Sequence, residues 1–214
     1  MPTEAVIWDF GGVFTTSPFE AFNHYESRRG LPKNFIRTVN STNPDSNAWA
    51  LFERGEIDLR GFDQKYLDES TNLGHAVRGA DVLPLLAGDL RPRMVEALLI
   101  CKRHFKVGCI TNNMANDDGA ALASTRAPSR SREIMQYFDV VIESSKSGLR
   151  KPDPRIYLMM CERLRVVPET CVYLDDLGIN CKPAAKLGMR AIKVVGEAQA
   201  LADLAEATGL IFPQ

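Results

Sequence analysis

The stretch AVIWDFGGVFTT, residues 5–16, decides the fold of this chain. Its first four residues, Ala5–Trp8, are apolar without interruption, which predicts a short strand buried on both faces. The strand ends at Asp9, and the following Gly11 and Gly12 allow the backbone to turn sharply beside a bound group. Because open α/β sheets bind ligands outside the carboxyl ends of their strands, Asp9 is a candidate site residue. Taken alone, an aspartate that merely caps a strand end explains this pattern equally well.

Composition limits the class of protein. The chain has 214 residues, enough for one well-buried core with or without a small appended domain. With 26 basic and 27 acidic residues, its net charge of −1 offers no electrostatic footprint for nucleic acid or for an anionic membrane surface. The five cysteines lack metal-ligand spacing, which indicates reduced thiols in a cytoplasmic protein. We expect no signal peptide and no membrane span, since the first residues lack a basic region and no apolar run is long enough.

Residues 17–90 show helical spacing and no strand pattern. The sequence SPFE at residues 17–20 predicts a capping box with proline at the first helical position. Apolar residues then recur at helical intervals around a polar turn at residues 40–47, and residues 79–88 predict a last short helix. We therefore expect a compact, all-helical insertion whose aromatic side chains form a small core of their own.

From residue 91 onward, strand and helix patterns alternate as in βαβ units. Right-handed crossovers would place all the strands in one parallel sheet with helices on both faces, which is an α/β fold. Residues 114–136 are predicted to be polar and helical in parts, with a loose loop at residues 127–129. Further strands are predicted at residues 105–110, 138–142, 170–174 and 190–195, and helices at residues 154–164 and 198–208.

Polar side chains stand at the predicted carboxyl ends of three strands. In chain order they are Asp9, Thr111, Asp175 and Asp176. In a parallel sheet these ends point the same way, so the side chains can converge on one crevice. Carboxylates gathered in a crevice repel one another and are costly to desolvate. Mg²⁺ resolves that conflict, since it binds carboxylate oxygens together with water and phosphate.

A phosphate site also needs positive charge and donors. Thr111 and the backbone N–H groups after it can donate to phosphate oxygens, and Lys151 can supply a fixed charge. Pro152 and Pro154 stiffen the chain beside that lysine. Groups of this kind stabilise the charge on a transferring phosphoryl group. Taken alone, Lys151 is more simply interpreted as a solvated surface lysine, whereas its place in the ordered set favours a functional role.

Four motifs in this order resemble those of the haloacid dehalogenase-like hydrolase superfamily. The similarity is strongest to the group that contains the amino-terminal phosphatase domain of soluble epoxide hydrolase. It implies a Rossmann-like parallel sheet, residues 1–16 and 91–214, with a helical cap domain, residues 17–90, inserted after the first strand. The motifs are DFGGV (9–13), ITNN (110–113), SGLRKPDPRIY (147–157) and YLDDLGINCKPAAKLGM (173–189).

The resemblance also implies a role for each residue that matches a motif. Asp9 corresponds to the nucleophilic aspartate, which attacks phosphorus and forms an aspartyl-phosphate that water then hydrolyses. Thr111 corresponds to the residue that binds the phosphoryl oxygens, with Asn112 supplying a backbone contact. Lys151 corresponds to the lysine that steadies the charge on the nucleophile and the phosphoryl group. The implied activity is that of a phosphatase for a small phosphorylated metabolite.

A Mg²⁺ site is implied by the same resemblance. Its ligands would be Asp9, Asp176 and the backbone carbonyl of Gly11. Asp175 would serve beside them, either as a further ligand or as a supporting partner. Asn180 occupies the position of a residue that orients the region of the catalytic lysine.

Position 11 departs from the family's pattern. Phosphatases of this family usually carry there a second aspartate, which acts as general acid and then as general base. Gly11 cannot move a proton, and such catalysis is typically worth ~10²–10⁴ in rate. Three consequences are open: leaving groups that depart unprotonated, a proton from another residue, or slow turnover.

Two other functions stay open at this point. A metal-independent 2-haloacid dehalogenase-like hydrolase also lacks the second acid, but it does not normally keep the paired Asp175 and Asp176. A catalytically weak protein that binds a phosphorylated ligand or a partner would not need the whole set of site residues. Phosphate release with Mg²⁺ would indicate the phosphatase, and chloride release from a 2-haloacid without metal would indicate the dehalogenase.

Overall fold

The computed structural model describes residues 2–86, 88–112 and 128–213. Its strands are β1 (Ala5–Trp8), β2 (Lys106–Thr111), β3 (Val140–Glu143), β4 (Cys171–Asp175) and β5 (Arg190–Lys193). They form one parallel sheet in the order β3–β2–β1–β4–β5. Because β1 lies in the middle between β2 and β4, the chain after it emerges between the ends of those two strands.

Residues 17–90 supply five helices, and no strand occurs among their described residues. These helices are α1 (Phe19–Arg29), α2 (Phe35–Ser41), α3 (Ala48–Glu53), α4 (Leu59–Asn72) and α5 (Gly79–Val82), followed by a 3₁₀ turn at Leu83–Leu86. Their apolar side chains form a cluster of their own, in which Phe52 stacks on Phe62 with ring centroids 4.7 Å apart. An isolated antiparallel bridge between Thr15 and Leu90 joins the two ends of this insertion.

Helices cover both faces of the sheet, as the sequence predicts. Val6 and Trp8 point into the apolar cluster on one face, and Ala5 and Ile7 into the cluster on the other. The helices of this part of the chain are α6 (Pro92–Lys102), α7 (Pro128–Met135), α8 (Ser144–Ser147), α9 (Pro154–Leu164), α10 (Gly178–Lys186) and α11 (Glu197–Thr208). α6 and α11 cover the first face, and α9 and α10 cover the second. The expected parallel α/β fold is therefore confirmed.

The predicted capping box at residues 17–20 is wrong. The residue before α1 is Pro18, and no side chain caps the helix. The hydroxyl of Ser17 instead donates to Oδ2 of Asp176 at 3.3 Å. A carboxylate is a stronger acceptor partner than a neutral group, and this contact ties the base of the insertion to the sheet edge.

Other differences concern boundaries. The predicted loose loop at residues 127–129 is wrong for its last two residues, since α7 begins at Pro128, which fits the first turn of a helix. Residues 113–127, including most of the segment predicted to be polar and partly helical, lie outside the described residues.

All five cysteines are free and buried, as expected. In the described ranges, none of the helices combines the length and apolar character of a membrane span.

Replacement of Phe62 by alanine tests whether the insertion has a packed core. Phe62 is fully buried and lies against Phe52 and Tyr66, so the change should lower the free energy of unfolding by roughly 3–5 kcal/mol. Leu59, on the same helix but 41% exposed, provides the control, and its change to alanine should cost less than about 1 kcal/mol. Denaturant unfolding measures both values. Equal losses in the two variants would contradict a packed core.

Candidate active site

The carboxyl edge of the sheet brings the acidic residues together. Asp9 follows β1, Asp175 ends β4, and Asp176 comes next along the chain. One carboxylate oxygen from each lies within 4.8 Å of the other two. Asp9 and Asp175 are buried, Asp176 is half-buried, and Thr111 is buried at the end of the neighbouring β2. The convergence expected from the strand ends is therefore observed for the three carboxylates.

Lys151 lies between two of these carboxylates. Its Nζ is 2.7 Å from Oδ1 of Asp9 and 2.8 Å from Oδ2 of Asp175, and its side chain is only 1% exposed. Burial by itself lowers the pKa of Lys151, but the two carboxylates outweigh burial and raise that pKa above its usual value. The ammonium group therefore stays charged at neutral pH, and the interpretation as a solvated surface lysine is wrong.

Asp175 is held by donors on both of its oxygens. Oδ2 accepts from Lys151 Nζ and from the hydroxyl of Tyr173 at 2.5 Å, and Oδ1 accepts the backbone N–H of Leu177 at 2.8 Å. The amide of Asn180 donates at 3.1 Å to both. Asn180, expected to orient the lysine region, thus contacts the carboxylate that binds Lys151. Tyr173 opens the motif at residues 173–189, but the sequence assigned it no role, although strand alternation places it on the same face as Asp175.

Asp9 and Asp176 are less fully satisfied. Oδ1 of Asp9 accepts from Lys151 and from the backbone N–H of Phe10 at 2.6 Å, whereas no described residue donates to Oδ2. Burial raises the pKa of Asp9 well above its usual value, against the opposing effect of Lys151. Burial also raises the pKa of Asp176 to about 6, and the charge of Asp175 adds to that rise. A further cation nearby would therefore stabilise the charged forms of both carboxylates.

The two glycines after Asp9 differ in what they permit. Gly12 has a φ of 72°, and a Cβ at this position would lie 2.2 Å from Oδ2 of Asp176. Only a residue without a side chain lets the backbone lie this close to that carboxylate. A Cβ on Gly11 would meet no atom within 4 Å, so a side chain at position 11 has room.

Contacts from distant parts of the chain complete the site. Asn112 Oδ1 accepts the backbone N–H of Lys151 at 2.9 Å, and its Nδ2 donates to the Lys151 carbonyl at 3.0 Å. The same Nδ2 lies 3.3 Å from Oε2 of Glu53, which belongs to α3 of the insertion. Glu53 also forms an ion pair with Arg150 at 2.7 Å. Sequence spacing gave no signal for Glu53 or Arg150, because their contact joins segments almost a hundred residues apart.

The chain belongs to the haloacid dehalogenase-like hydrolase family, since the family's sequence profile matches residues 3–188. It is therefore a hydrolase, and its relatives include phosphatases. The resemblance inferred from the four motifs is confirmed at the level of the family.

Individual relatives agree with this assignment. Bifunctional epoxide hydrolase 2 of Mus musculus is 30% identical over the whole chain, which spans 40% of that protein's length. A phosphorylated carbohydrates phosphatase of Thermotoga maritima is 27% identical over 88% of this chain and 83% of its own length. The fold is similar to that of a haloacid dehalogenase family enzyme from Bacteroides thetaiotaomicron solved with magnesium and inorganic phosphate, with a TM-score of 0.62 and 20% identity. That comparison covers 91% of this chain and 96% of the other.

Alanine at each glycine after Asp9 tests the close approach of the loop. Gly12→Ala should destabilise the protein by roughly 1–3 kcal/mol, because it combines a strained backbone with a collision against Asp176. Gly11→Ala should change stability by less than about 1 kcal/mol, since its Cβ meets open space. Thermal and denaturant unfolding give both values. A larger loss for Gly11→Ala than for Gly12→Ala would refute this geometry.

Proposed function

We propose that this protein is a Mg²⁺-dependent phosphatase that acts on small phosphorylated metabolites through an aspartyl-phosphate on Asp9. The observation that carries this proposal is the buried Lys151 ammonium, 2.7 Å from the Asp9 carboxylate, with the Asp176 carboxylate in the same cluster. Phosphatases among its sequence relatives support the reaction class. The five free, buried cysteines are consistent with a cytoplasmic location.

The donor chemistry of the cluster fits Mg²⁺. Asp9 and Asp176 each have a raised pKa, so a cation beside them would relieve the cost of burying their charges. Both offer hard oxygen ligands, and the carbonyl of Gly11 would be a third protein ligand. Asp175 is better suited to support Lys151, because hydrogen bonds already occupy both of its oxygens. When bound, Mg²⁺ would neutralise charge on the phosphoryl oxygens.

The remaining roles follow from position. Asp9 would attack phosphorus through a carboxylate that the Phe10 N–H and Lys151 hold in place by one oxygen. As the aspartyl-phosphate forms, the bond between phosphorus and the leaving-group oxygen would break, and the leaving group would depart with that electron pair. Lys151 would also offset the negative charge that develops on the phosphoryl group. Thr111, at the end of β2, would bind phosphoryl oxygens, and Asn112, whose side-chain amide is held by Lys151 and Glu53, would add a backbone contact. Water would then cleave the phosphorus–oxygen bond to Asp9, releasing phosphate and restoring the carboxylate.

We also propose that residues 17–90 act as a cap over a catalytic core formed by residues 1–16 and 91–214. Two observations support this division. The insertion has its own apolar cluster, and it meets the carboxyl edge of the sheet through Ser17 and Glu53. A cap in this place would exclude water and select the leaving group.

Loss of the attacking anion tests the proposed role of Asp9. Asp9→Asn should reduce hydrolysis of an aryl phosphate to the background rate while the protein stays folded, because the amide preserves size but not nucleophilicity. Asp68→Asn, an exposed change on α4, serves as the control and should keep full activity. Removal of Mg²⁺ with a chelator should abolish wild-type turnover, and added Mg²⁺ should restore it. Full activity of homogeneous, non-deamidated Asp9→Asn would exclude this nucleophile.

Position 11 generates a prediction about the leaving group. Without a carboxyl group there, departure of a poor alkoxide should be the difficult step, so the first chemical step should depend steeply on leaving-group pKa. Gly11→Asp has room for its side chain and should accelerate alkyl phosphates more than aryl phosphates. Gly11→Asn is the matched control, because it adds the same volume without an acidic proton.

Single-turnover kinetics on a graded series of phosphate esters measures this effect. The wild type should show the steep dependence, Gly11→Asn should retain it, and Gly11→Asp should flatten it. A flat dependence in the wild type would mean that another residue already donates the proton.

A further inference from the structure

Arg150 and Lys151 are neighbours in the chain, but their side chains bind different parts of the molecule. Lys151 extends to Asp9 and Asp175 at the sheet edge. Arg150 extends to the insertion, where its Nη1 donates to the carbonyl of Pro44 at 2.7 Å and its Nη2 lies 2.7 Å from Oε2 of Glu53. The loop that carries the catalytic lysine is therefore attached at its preceding residue to the insertion.

Glu53 is the centre of this attachment. It is buried, and its Oε1 accepts the indole N–H of Trp49 at 3.0 Å. Its Oε2 accepts from Arg150 and from the amide of Asn112. The backbone of the insertion also approaches the core closely here, since a Cβ on Gly55 would lie 2.8 Å from the carbonyl oxygen of Ser145.

Asn112 extends the contact to the lysine itself. Its amide binds both the N–H and the carbonyl of Lys151, so it fixes the backbone of the residue whose ammonium contacts Asp9. Glu53 thus restrains that backbone in two ways. It binds the amide of Asn112, and it binds the side chain of Arg150, the residue that precedes Lys151. Because both side chains donate to the same buried carboxylate oxygen, neither Asn112 nor Arg150 can move far without losing a charge-assisted hydrogen bond.

We propose that Glu53 is a positioning residue for the reaction: it couples docking of the insertion to the placement of Lys151 and Asn112. This inference rests on the proposed phosphatase function for its kinetic part, but its structural part is independent of activity. Removal of the carboxylate should displace the lysine loop, and misplacement by about 1 Å can cost on the order of 10²-fold in rate.

The contacts of Glu53 argue against a direct role as the missing proton donor. Trp49, Arg150 and Asn112 all donate to it, which favours the ionised carboxylate. In the ionised form, Glu53 has no proton to transfer. Its burial raises the pKa of Glu53, and the charge of Arg150 opposes that rise.

The kinetic experiment compares Glu53→Gln with Glu56→Gln. Glu56 pairs with Arg54 on the surface of the same segment, so it controls for loss of an ion pair without contact to the site. Glu53→Gln should lower kcat by roughly 10- to 100-fold, with a smaller change in KM, and Glu56→Gln should leave both unchanged. Arg150→Gln should reduce kcat similarly, and the double variant Glu53→Gln/Arg150→Gln should be no worse than the more affected single variant.

A readout independent of catalysis is amide exchange at Lys151, followed by NMR. The Lys151 N–H donates to Asn112, so Glu53→Gln should accelerate its exchange about tenfold or more, and Glu56→Gln should not. The indole N–H of Trp49 should also shift in Arg150→Gln. The indole of Trp8 serves as the internal reference, since no described residue accepts from it.

The outcomes separate this inference from the proposed function. An active wild type, with slowed turnover and faster Lys151 exchange in Glu53→Gln, supports the positioning role. An active wild type whose Glu53→Gln variant keeps kcat within twofold overturns that role and leaves the phosphatase assignment intact. A wild type inactive on every phosphate ester refutes the phosphatase assignment, and exchange then decides: unchanged Lys151 exchange overturns the coupling, and faster exchange supports it.

Discussion

Two ion pairs of the buried Lys151 ammonium hold this site together. Lys151 lies between Asp9 and Asp175, and without it two carboxylates would be buried side by side with no positive charge between them. Breaking such a buried arrangement by removing one partner typically costs about 3–5 kcal/mol. The surrounding donors make the arrangement rigid, because Tyr173 and Asn180 fix Asp175, which in turn fixes the lysine. The position of the proposed nucleophile therefore depends on this one cation.

The fold supplies that arrangement from three places. The central strand delivers Asp9, the neighbouring strand β4 delivers Asp175, and a loop before α9 delivers Lys151. The insertion contacts the same edge through Ser17 on Asp176 and, on the other side of the site, through Glu53 on Asn112 and Arg150. A change in how the insertion sits would thus act on both the acidic and the basic side of the site. Under the proposed function, the insertion would therefore be part of the catalytic apparatus.

Sequence reasoning reached the sheet and the strand-end residues because both follow from local rules. Buried parallel strands are uninterrupted apolar runs, and their carboxyl ends must lie on one edge. The adjacent Asp175 and Asp176 could not be separated in this way, because only the hydrogen bonds of the fold show that one is saturated and the other is not. The pairing of Glu53 with Arg150 and the contact of Ser17 with Asp176 were missed for a related reason. Each joins segments far apart in the chain, and Ser17 also fitted a local capping pattern that the carboxylate overrode.

The proposed reaction requires Asp9 to carry the phosphoryl group during turnover. The most direct measurement is rapid acid quenching of the Mg²⁺-loaded protein with an aryl phosphate, followed by borohydride reduction and peptide mass analysis. Borohydride reduces an acyl-phosphate to an alcohol, so an aspartyl-phosphate on Asp9 would become homoserine at that position. Homoserine at position 9 is expected in the wild type, and none is expected when substrate is omitted. Steady release of phosphate with an unmodified Asp9 at every quench time would contradict it.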